Sequence, residues 1–398
     1  MMMTAKTFPR LLSKKKIIMV IIVVILIFNL HLYKKESSIK GVAPKVFSLL
    51  PSEGDKVLVT YAYAEGLGNG GEIDRHNLHY FIRVGIAGLV PGTSDPNSKV
   101  DYIIVVSGWK CEPCETSLKE VLIRPELKSK GKDWVTLLYR ENRGMDFGAY
   151  NMSITWVNQH RPTIYKYFIF INSSLRGPFM PKWTPNTFHF TDALTQMMKD
   201  DSRIKIVGSY ITCLSKAFEP FQRVVMESLF FCLDEDSLRW VIEDGVFNIR
   251  DKKTDIALLG EYGLMNSVIR RGWRAESLSM RYAKGLDWAS SVHENCNDNR
   301  HSSRRGILDG EISPNLLEHI FVKTSWCVRA KESGVLSRWL LKLSQGEPGT
   351  SGEPDMAGWK YGVSEFGTSS KKGGTLRPDI PSDGCEHGDI RELIVNKY

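Results

Sequence analysis

The sequence predicts an α/β domain, built on a mixed sheet flanked by helices, behind an N-terminal apolar segment. Short apolar runs of strand length alternate with amphipathic segments, which is typical of a parallel or mixed sheet covered by helices. Several amphipathic segments begin at Asp or Thr, whose side chains accept hydrogen bonds from the N–H groups of a helix start. A long uncharged run near the N-terminus further predicts that the domain is attached to a membrane.

The predicted elements occupy residues 55–343, a length that suits one large α/β domain or two small ones. We assign them to one domain. The runs predicted to be strands are 57–62, 102–106, 134–139, 167–171, 204–208 and 276–281. The predicted helices follow Asp74, Asp146, Thr191, Asp236 and Asp255.

The N-terminal apolar run covers residues 17–33, which is at the short end for a membrane-spanning helix. Five basic residues precede it and predict a cytoplasmic N-terminus. We therefore expect a cytoplasmic tail at 1–16, a signal anchor at 17–33 and a stem at 34–54. The domain would lie in the lumen of the Golgi or ER as part of a single-pass type II membrane protein. A cleaved signal peptide is less favoured, because bulky residues rather than small ones follow the run.

The net charge of +8 belongs to the membrane-flanking part of the chain. Residues 1–45 contain nine Lys or Arg and one Glu, so the remainder is neutral overall. A nucleic-acid partner is not expected, since it would require a basic patch on the folded domain. The last segment, residues 344–398, is rich in Gly and Ser without apolar periodicity, which predicts a disordered tail.

Seven cysteines occur, and a luminal location would permit disulfides. Cys111 and Cys114 have the spacing of a redox motif, between the predicted strand at 102–106 and a helical segment at 117–123. Because no other part of a thioredoxin-like architecture is visible, a local structural disulfide is favoured over a membrane-tethered thiol oxidoreductase.

The most informative stretch is 139–178. A turn containing Asn142, Gly144 and Asp146 precedes a helix, and a buried strand then ends in Asn172 and Ser174. Ligands of open α/β sheets bind outside the carboxyl ends of the strands, so these residues together predict a nucleotide site. Each has a structural alternative: the Asp could only cap its helix, the Gly could only form the turn, and the Asn and Ser could only close the strand.

This stretch resembles a known family. The pattern Asn142-x-Gly144-x-Asp146, followed by a strand ending in Asn172-Ser-Ser174 and a Gly-Pro pair, is similar to the rhamnan synthesis protein F-like glycosyltransferases. Weaker similarities lie at 58–63, 75–86, 102–108, 261–266, 285–288 and 312–323. The resemblance covers most of the globular region and implies a GT-A-type fold, in which a Rossmann-like sheet binds a nucleotide sugar.

The resemblance also implies an activity, the transfer of a sugar from a nucleotide-sugar donor to a glycan or glycoconjugate acceptor. The donor-binding residues that it implies are Tyr61, Asn142, Gly144, Asp146, Asn172, Ser174 and Arg176. Metal-dependent GT-A enzymes carry Asp-x-Asp where this chain has Asn172-Ser-Ser174. A divalent ion such as Mn or Mg prefers at least one carboxylate, so the sequence disfavours a bound metal and offers only Asn172 and Ser174 as its ligands.

Glu261 is the predicted catalytic base, because an inverting transfer needs a carboxylate to take the proton of the acceptor hydroxyl. Its structural alternative is an acidic residue that complements the dipole of a helix start. Asp287 is the rival base, and its neighbour Trp288 is a predicted acceptor-binding residue, since an aromatic face can pack on a sugar ring. The missing Asp-x-Asp also motivates an alternative, a catalytically inactive glycan-binding or scaffold protein of the same fold.

Overall fold

The computed structural model describes residues 55–64, 72–88, 90, 92–95, 99–130, 134–161, 165–213, 224–282, 284–289, 301–305 and 314–324, together with 333, 336, 337 and 340. The predicted cytoplasmic tail, signal anchor and stem, and the predicted C-terminal tail, lie outside these residues. Within the part of the chain that is described, no helix is long and apolar enough to cross a membrane.

The described residues form eleven strands, which alternate with helices as far as β4 and are consecutive from β6 to β9. The strands are β1 (Val57–Tyr63), β2 (Val100–Ser107), β3 (Val135–Arg140), β4 (Tyr167–Asn172), β5 (Leu175–Arg176), β6 (Ile204–Gly208), β7 (Ile211–Cys213), β8 (Val224–Met226), β9 (Phe230–Asp234), β10 (Arg274–Ser277) and β11 (Val322–Lys323). The α-helices are α1 (Glu72–Tyr80), α2 (Lys119–Leu122), α3 (Met145–His160), α4 (Asp192–Asp200), α5 (Glu235–Glu243), α6 (Lys253–Asp255), α7 (Tyr262–Ile269), α8 (Ser302–Arg305) and α9 (Leu316–His319). Wider π-helical turns span Phe81–Ile86, Cys114–Leu118 and Ile256–Glu261, and a 3-10 helix spans Pro125–Lys130.

A seven-stranded sheet forms the centre, in the order β10-β6-β9-β4-β1-β2-β3. All neighbouring strands are parallel except β9, which runs antiparallel to β4 and β6. From β1 the chain builds outward through β2 and β3, and then returns to place β4 on the other side of β1. The carboxyl ends of β1 and β4 therefore flank a reversal of strand order, the point at which open α/β sheets bind ligands.

Helices cover both faces of this sheet. On one face, α3 packs on β1 and β2, and the Oγ atoms of Thr60 and Ser153 form a buried hydrogen bond of 2.7 Å. Five rings pack together beneath α3, with centroid separations of 5.0 to 6.1 Å. We call this the aromatic cluster; its members are Phe147, Tyr150, Phe170, Phe231 and Phe247. The opposite face packs on the turn after α1 and on the segment leading into α4.

The predicted mixed sheet flanked by helices is confirmed, and five of the six predicted strands match β1, β2, β3, β4 and β6. The strand predicted at 276–281 is misplaced: β10 ends at Ser277, where the Ser277 side chain accepts a hydrogen bond from the N–H of Ser279 and closes a turn. Strand β9 was not predicted. Cys111 and Cys114 form the local disulfide that was favoured, and both are buried.

Gly148 in α3 provides a stability test. A Cβ atom there would overlap the carbonyl oxygen of Arg143 and the guanidinium group of Arg140. The backbone at the start of α3 would have to shift, so Gly148→Ala should lower the free energy of unfolding by about 2 kcal/mol or more. Gly263→Ala in α7 is the matched control, because its nearest contact is an ordinary 3.4 Å to Val246. Thermal unfolding of the two variants checks this, and equal melting temperatures would contradict the packing described for α3.

Candidate functional site

The start of α3 meets the end of β4 through a pair of side chains. Gly144 takes a left-handed conformation, with φ of 72°, and this turns the chain from β3 into α3. The turn places Asp146 beside Asn172, whose Nδ2 donates a hydrogen bond of 2.6 Å to the Asp146 carboxylate. The Asn172 Oδ1 in turn accepts from the N–H of Ser174, at 2.8 Å. Three of the predicted donor-binding residues are therefore linked side by side at the reversal of strand order.

The carboxylate of Asp146 faces both the start of α3 and the side chain of Asn172. Burial raises its pKa, while the hydrogen bond from Asn172, the N–H groups of Asp146 and Phe147 and the charge of Lys323 act in the opposite direction. Asp146 lies within the first turn of α3, whose N-cap residue is Gly144, so its carboxylate complements the positive end of the helix dipole without being the cap. The bond to Asn172 shows that the same carboxylate also faces the end of β4, so the structural and the functional interpretation are compatible.

Lys323 is a member of this group that the sequence did not reveal. It lies on β11, which pairs antiparallel with β5, and its side chain is only 8% exposed. The ammonium donates a hydrogen bond of 3.2 Å to Oγ of Ser174. The contact joins residues 149 positions apart, so no local pattern could have predicted it. Its sole signal was its position at the end of an apolar run.

Tyr150 lies close enough to Asp146 and Glu261 to feel the charge of both. Burial, followed by the negative charges of Asp146 and Glu261, raises the pKa of Tyr150 well above its usual value. Among the described residues, the buried hydroxyl of Tyr150 has no hydrogen-bond partner. Tyr150 follows Asp146 by four positions on α3, and this spacing places both on one helix face. That spacing was a signal the sequence offered.

Glu261 ends the π-helical turn Ile256–Glu261 and is half-buried. The preceding residue, Gly260, lies directly against the ring of Phe147, since a Cβ there would be 3.3 Å from it. The turn therefore packs on the start of α3. The predicted base is brought to the same end of α3 as Asp146.

The side chain of Arg176 is directed toward α1 and not toward Asp146. Its Nε donates a hydrogen bond of 3.0 Å to Oδ1 of Asn77 in α1. Burial, followed by the charge of Arg176, lowers the pKa of His76 to about 4. Asn77 also donates to the carbonyl oxygen of Ser173, at 2.9 Å, so Arg176 orients a side chain that supports the β4–β5 turn.

The other predicted residues lie outside this hydrogen-bonded group, although Tyr61 pairs with Ile171, next to Asn172. Tyr61 is buried in β1 and its ring stacks on Phe81, with centroids 4.9 Å apart. Asn142 is exposed in the loop before α3. Asp287 is exposed and accepts from the N–H of Ala289, while Trp288 is buried and donates to the carbonyl oxygen of Ala275. They follow β10, which lies three strand spacings from β4, roughly 14 Å. The structure therefore does not bring Asp287 and Trp288 to the Asp146–Asn172 pair.

The donor set at this point does not fit a divalent cation well. In the described chain, no group of three or more His, Cys, Asp and Glu side chains could hold a metal ion. Asn172 already uses its carbonyl oxygen for Ser174 and its amide for Asp146. The Ser174 hydroxyl accepts from an ammonium, which would repel a cation bound to the same oxygen.

No family model and no curated protein matches this chain. Among solved structures, it is similar to a mannosyltransferase from Pyrobaculum calidifontis in complex with GDP-Man and Mn2+, at 13% identity and a TM-score of 0.33, over 62% of this chain and 61% of that chain. The alignment thus spans less than two thirds of that enzyme. A cytidylyltransferase from Leptospira borgpetersenii is 11% identical, with a TM-score of 0.32, over 59% of this chain and 78% of that chain. Mouse xyloside xylosyltransferase 1 is 10% identical, with a TM-score of 0.29, over 57% of this chain and 86% of that chain. Similarity at this level fixes neither the activity nor the substrate of this chain.

The Asp146–Asn172 contact generates a pH-dependent prediction. Asn172→Asp would oppose two carboxylates at hydrogen-bond distance, so one of them would keep its proton at neutral pH. Because its folded-state pKa would lie above its unfolded-state value, the variant should be less stable than the wild type at pH 7.5, by about 1–3 kcal/mol. The difference should shrink as the pH falls toward 4.5. Denaturant unfolding at both pH values checks this. Asn248→Asp, at an exposed position, is the control, and a difference independent of pH would contradict the contact.

Proposed function

We propose that this protein is a glycosyltransferase that moves a sugar from a nucleotide-sugar donor to a glycan or glycoconjugate acceptor. The observation that carries the proposal is the linked group Asp146, Asn172 and Ser174 at the reversal of strand order between β1 and β4. Such a position binds nucleotides in open α/β sheets. The motif resemblance to the rhamnan synthesis protein F-like family supplies the donor class and the GT-A-type assignment.

In the proposed reaction, Asp146 accepts hydrogen bonds from hydroxyl groups of the donor. Tyr150 lies in the field of Asp146 and Glu261, and its buried ring packs on Phe170 and holds the start of α3 against β4. Glu261 takes the proton from the acceptor hydroxyl while the oxygen of that hydroxyl bonds to the anomeric carbon of the donor sugar. The bond from that carbon to the diphosphate breaks, and the nucleoside diphosphate leaves with the electron pair.

The rival function is a glycan-binding or scaffold protein without transferase activity. The specific observation behind it is that the end of β4 presents Asn172 and Ser174, with Asp146 as the one carboxylate among the described residues in hydrogen-bond contact with them. A thiol oxidoreductase is not proposed, because Cys111 and Cys114 are both buried in their disulfide and a redox-active cysteine needs access.

Membrane attachment is part of the proposal. The uncharged run at 17–33 and the basic residues before it support a single-pass signal anchor with the domain in the Golgi or ER lumen. Protease added to intact microsomes should then spare residues 55–343 until detergent is present. Digestion of the domain without detergent would show that the orientation is wrong.

The enzymatic proposal predicts separate effects on donor binding and on turnover. Full-length protein in detergent, screened against nucleotide sugars, should bind one of them and release its nucleoside diphosphate. Asp146→Ala should weaken donor binding by at least about tenfold, the worth of one charge-assisted hydrogen bond. Glu261→Gln should leave donor affinity unchanged and lower turnover by roughly 10²–10⁴-fold, because the acceptor loses its general base.

Asp287→Asn is the matched comparison for the base. It should leave turnover near that of the wild type, since Asp287 lies at β10 and away from Asp146. The reverse pattern would assign the base to Asp287. A lower melting temperature with unchanged turnover in Glu261→Gln would reduce Glu261 to a helix-start residue. Glycan binding without binding of any nucleotide would favour the non-enzymatic rival.

A further inference from the structure

Lys323 places a positive charge at the centre of the candidate site. Its side chain is almost wholly buried, and its Nζ lies 3.2 Å from Oγ of Ser174. Its positive charge also acts to lower the pKa of Asp146, which contacts Asn172 through the amide nitrogen while Ser174 contacts the amide oxygen. Charge interactions are stronger in such a partly desolvated position than in water.

The backbone around Lys323 is clamped onto the turn after β4. Lys323 pairs with Leu175 in the short β5–β11 sheet. The next residue, Thr324, donates to the carbonyl oxygen of Ser174 from both its N–H, at 3.0 Å, and its hydroxyl, at 3.1 Å. Asn77 completes the clamp by donating to the Thr324 hydroxyl at 2.8 Å. The ammonium is therefore held close to the end of β4 by the fold itself.

Arg176 does not occupy the same place. Its guanidinium binds Asn77 and its charge acts on His76, both on α1. Lys323 acts instead on Ser174 and Asp146, the residues that face the end of β4. Of these two buried cations, Lys323 is the one positioned toward the proposed donor.

We infer that Lys323 binds the diphosphate of the donor and stabilises the negative charge of the leaving nucleoside diphosphate, at the place where a divalent cation would otherwise be held. The inference rests on the proposed function and adds to it the chemical means of leaving-group stabilisation. A fixed positive charge beside a departing phosphate lowers the barrier because the charge develops as the bond breaks. The same ammonium accounts for the poor fit of Asn172 and Ser174 to a metal.

The first test uses the wild type alone. Full-length protein in detergent is titrated by calorimetry with UDP, GDP, ADP, CDP and dTDP, once in EDTA and once with Mn2+. Binding of one diphosphate with similar affinity under both conditions is the expected result. Binding that requires Mn2+ would overturn the role of Lys323 and leave the proposed function standing. Binding of none of them would overturn the proposed function, and the role of Lys323 with it.

The second test uses variants and the same diphosphate, with the corresponding nucleoside as a probe that lacks phosphate. Lys323→Gln should weaken diphosphate binding by about 10- to 100-fold, the worth of a hydrogen bond to a charged group. Lys323→Arg should restore most of it, and affinity for the nucleoside should be the same in all proteins. Lys166→Gln, at an exposed ion pair with Asp55, is the control. Equal loss of nucleoside and diphosphate binding would mean that Lys323 only supports the fold.

Discussion

The packing of α3 on the end of β4 determines where the candidate site residues lie. Phe147 and Tyr150 on the first turns of α3 contact Phe170 of β4, Phe231 and Phe247 within the aromatic cluster. Pairs of this kind stabilise by about 0.5–1.5 kcal/mol beyond the area they bury. Because the cluster fixes the rotation and depth of α3, Asp146 lies beside Asn172 and Tyr150 lies in the field of Glu261. The polar contacts are thus a consequence of apolar packing, and loosening the cluster would separate all of them together.

The antiparallel strand β9 contributes a second constraint. Since it enters the sheet from the edge at which β4 ends, the segment leading into it passes beside Asn172. The carbonyl oxygen of Leu229 accepts from the N–H of Asn172 at 2.9 Å, and the carbonyl oxygen of Ala62 accepts from the N–H of Ser173 at 3.0 Å. The backbone of the β4 end is therefore held from both neighbouring strands. Because the backbone there is engaged, the side chains of Asn172 and Ser174 are the groups left to contact a ligand.

Local pattern was sufficient for much of the fold and for part of the site. Strands β1, β4 and β6 are continuous buried runs, and Asp146 and Asn172 each stand next to a clear element boundary, so both could be predicted. Strand β9 could not, because Phe230–Asp234 is a short apolar run followed directly by a helix, and such runs do not distinguish strand from helix. Lys323 depends on the pairing of β5 with β11, a long-range contact. The orientation of Arg176 was hidden by the turn at Ser173 and Ser174, which resets the alternation of side chains along the strand.

The electrostatics of the α3 start show what the proposed diphosphate would meet there. A helix of 16 residues carries partial positive charge at its N-terminus, which by itself attracts phosphate. Here the carboxylate of Asp146 already accepts from the N–H groups of Asp146 and Phe147, so the helix end is matched by a negative group. A diphosphate approaching this point would meet a carboxylate instead of bare N–H groups, and the two would repel. The ammonium of Lys323 acts on Asp146 and contacts Ser174, so it offsets that repulsion while Asp146 remains able to accept hydrogen bonds from a sugar. In the proposed reaction, anion binding at this helix start would therefore require the lysine to offset the carboxylate.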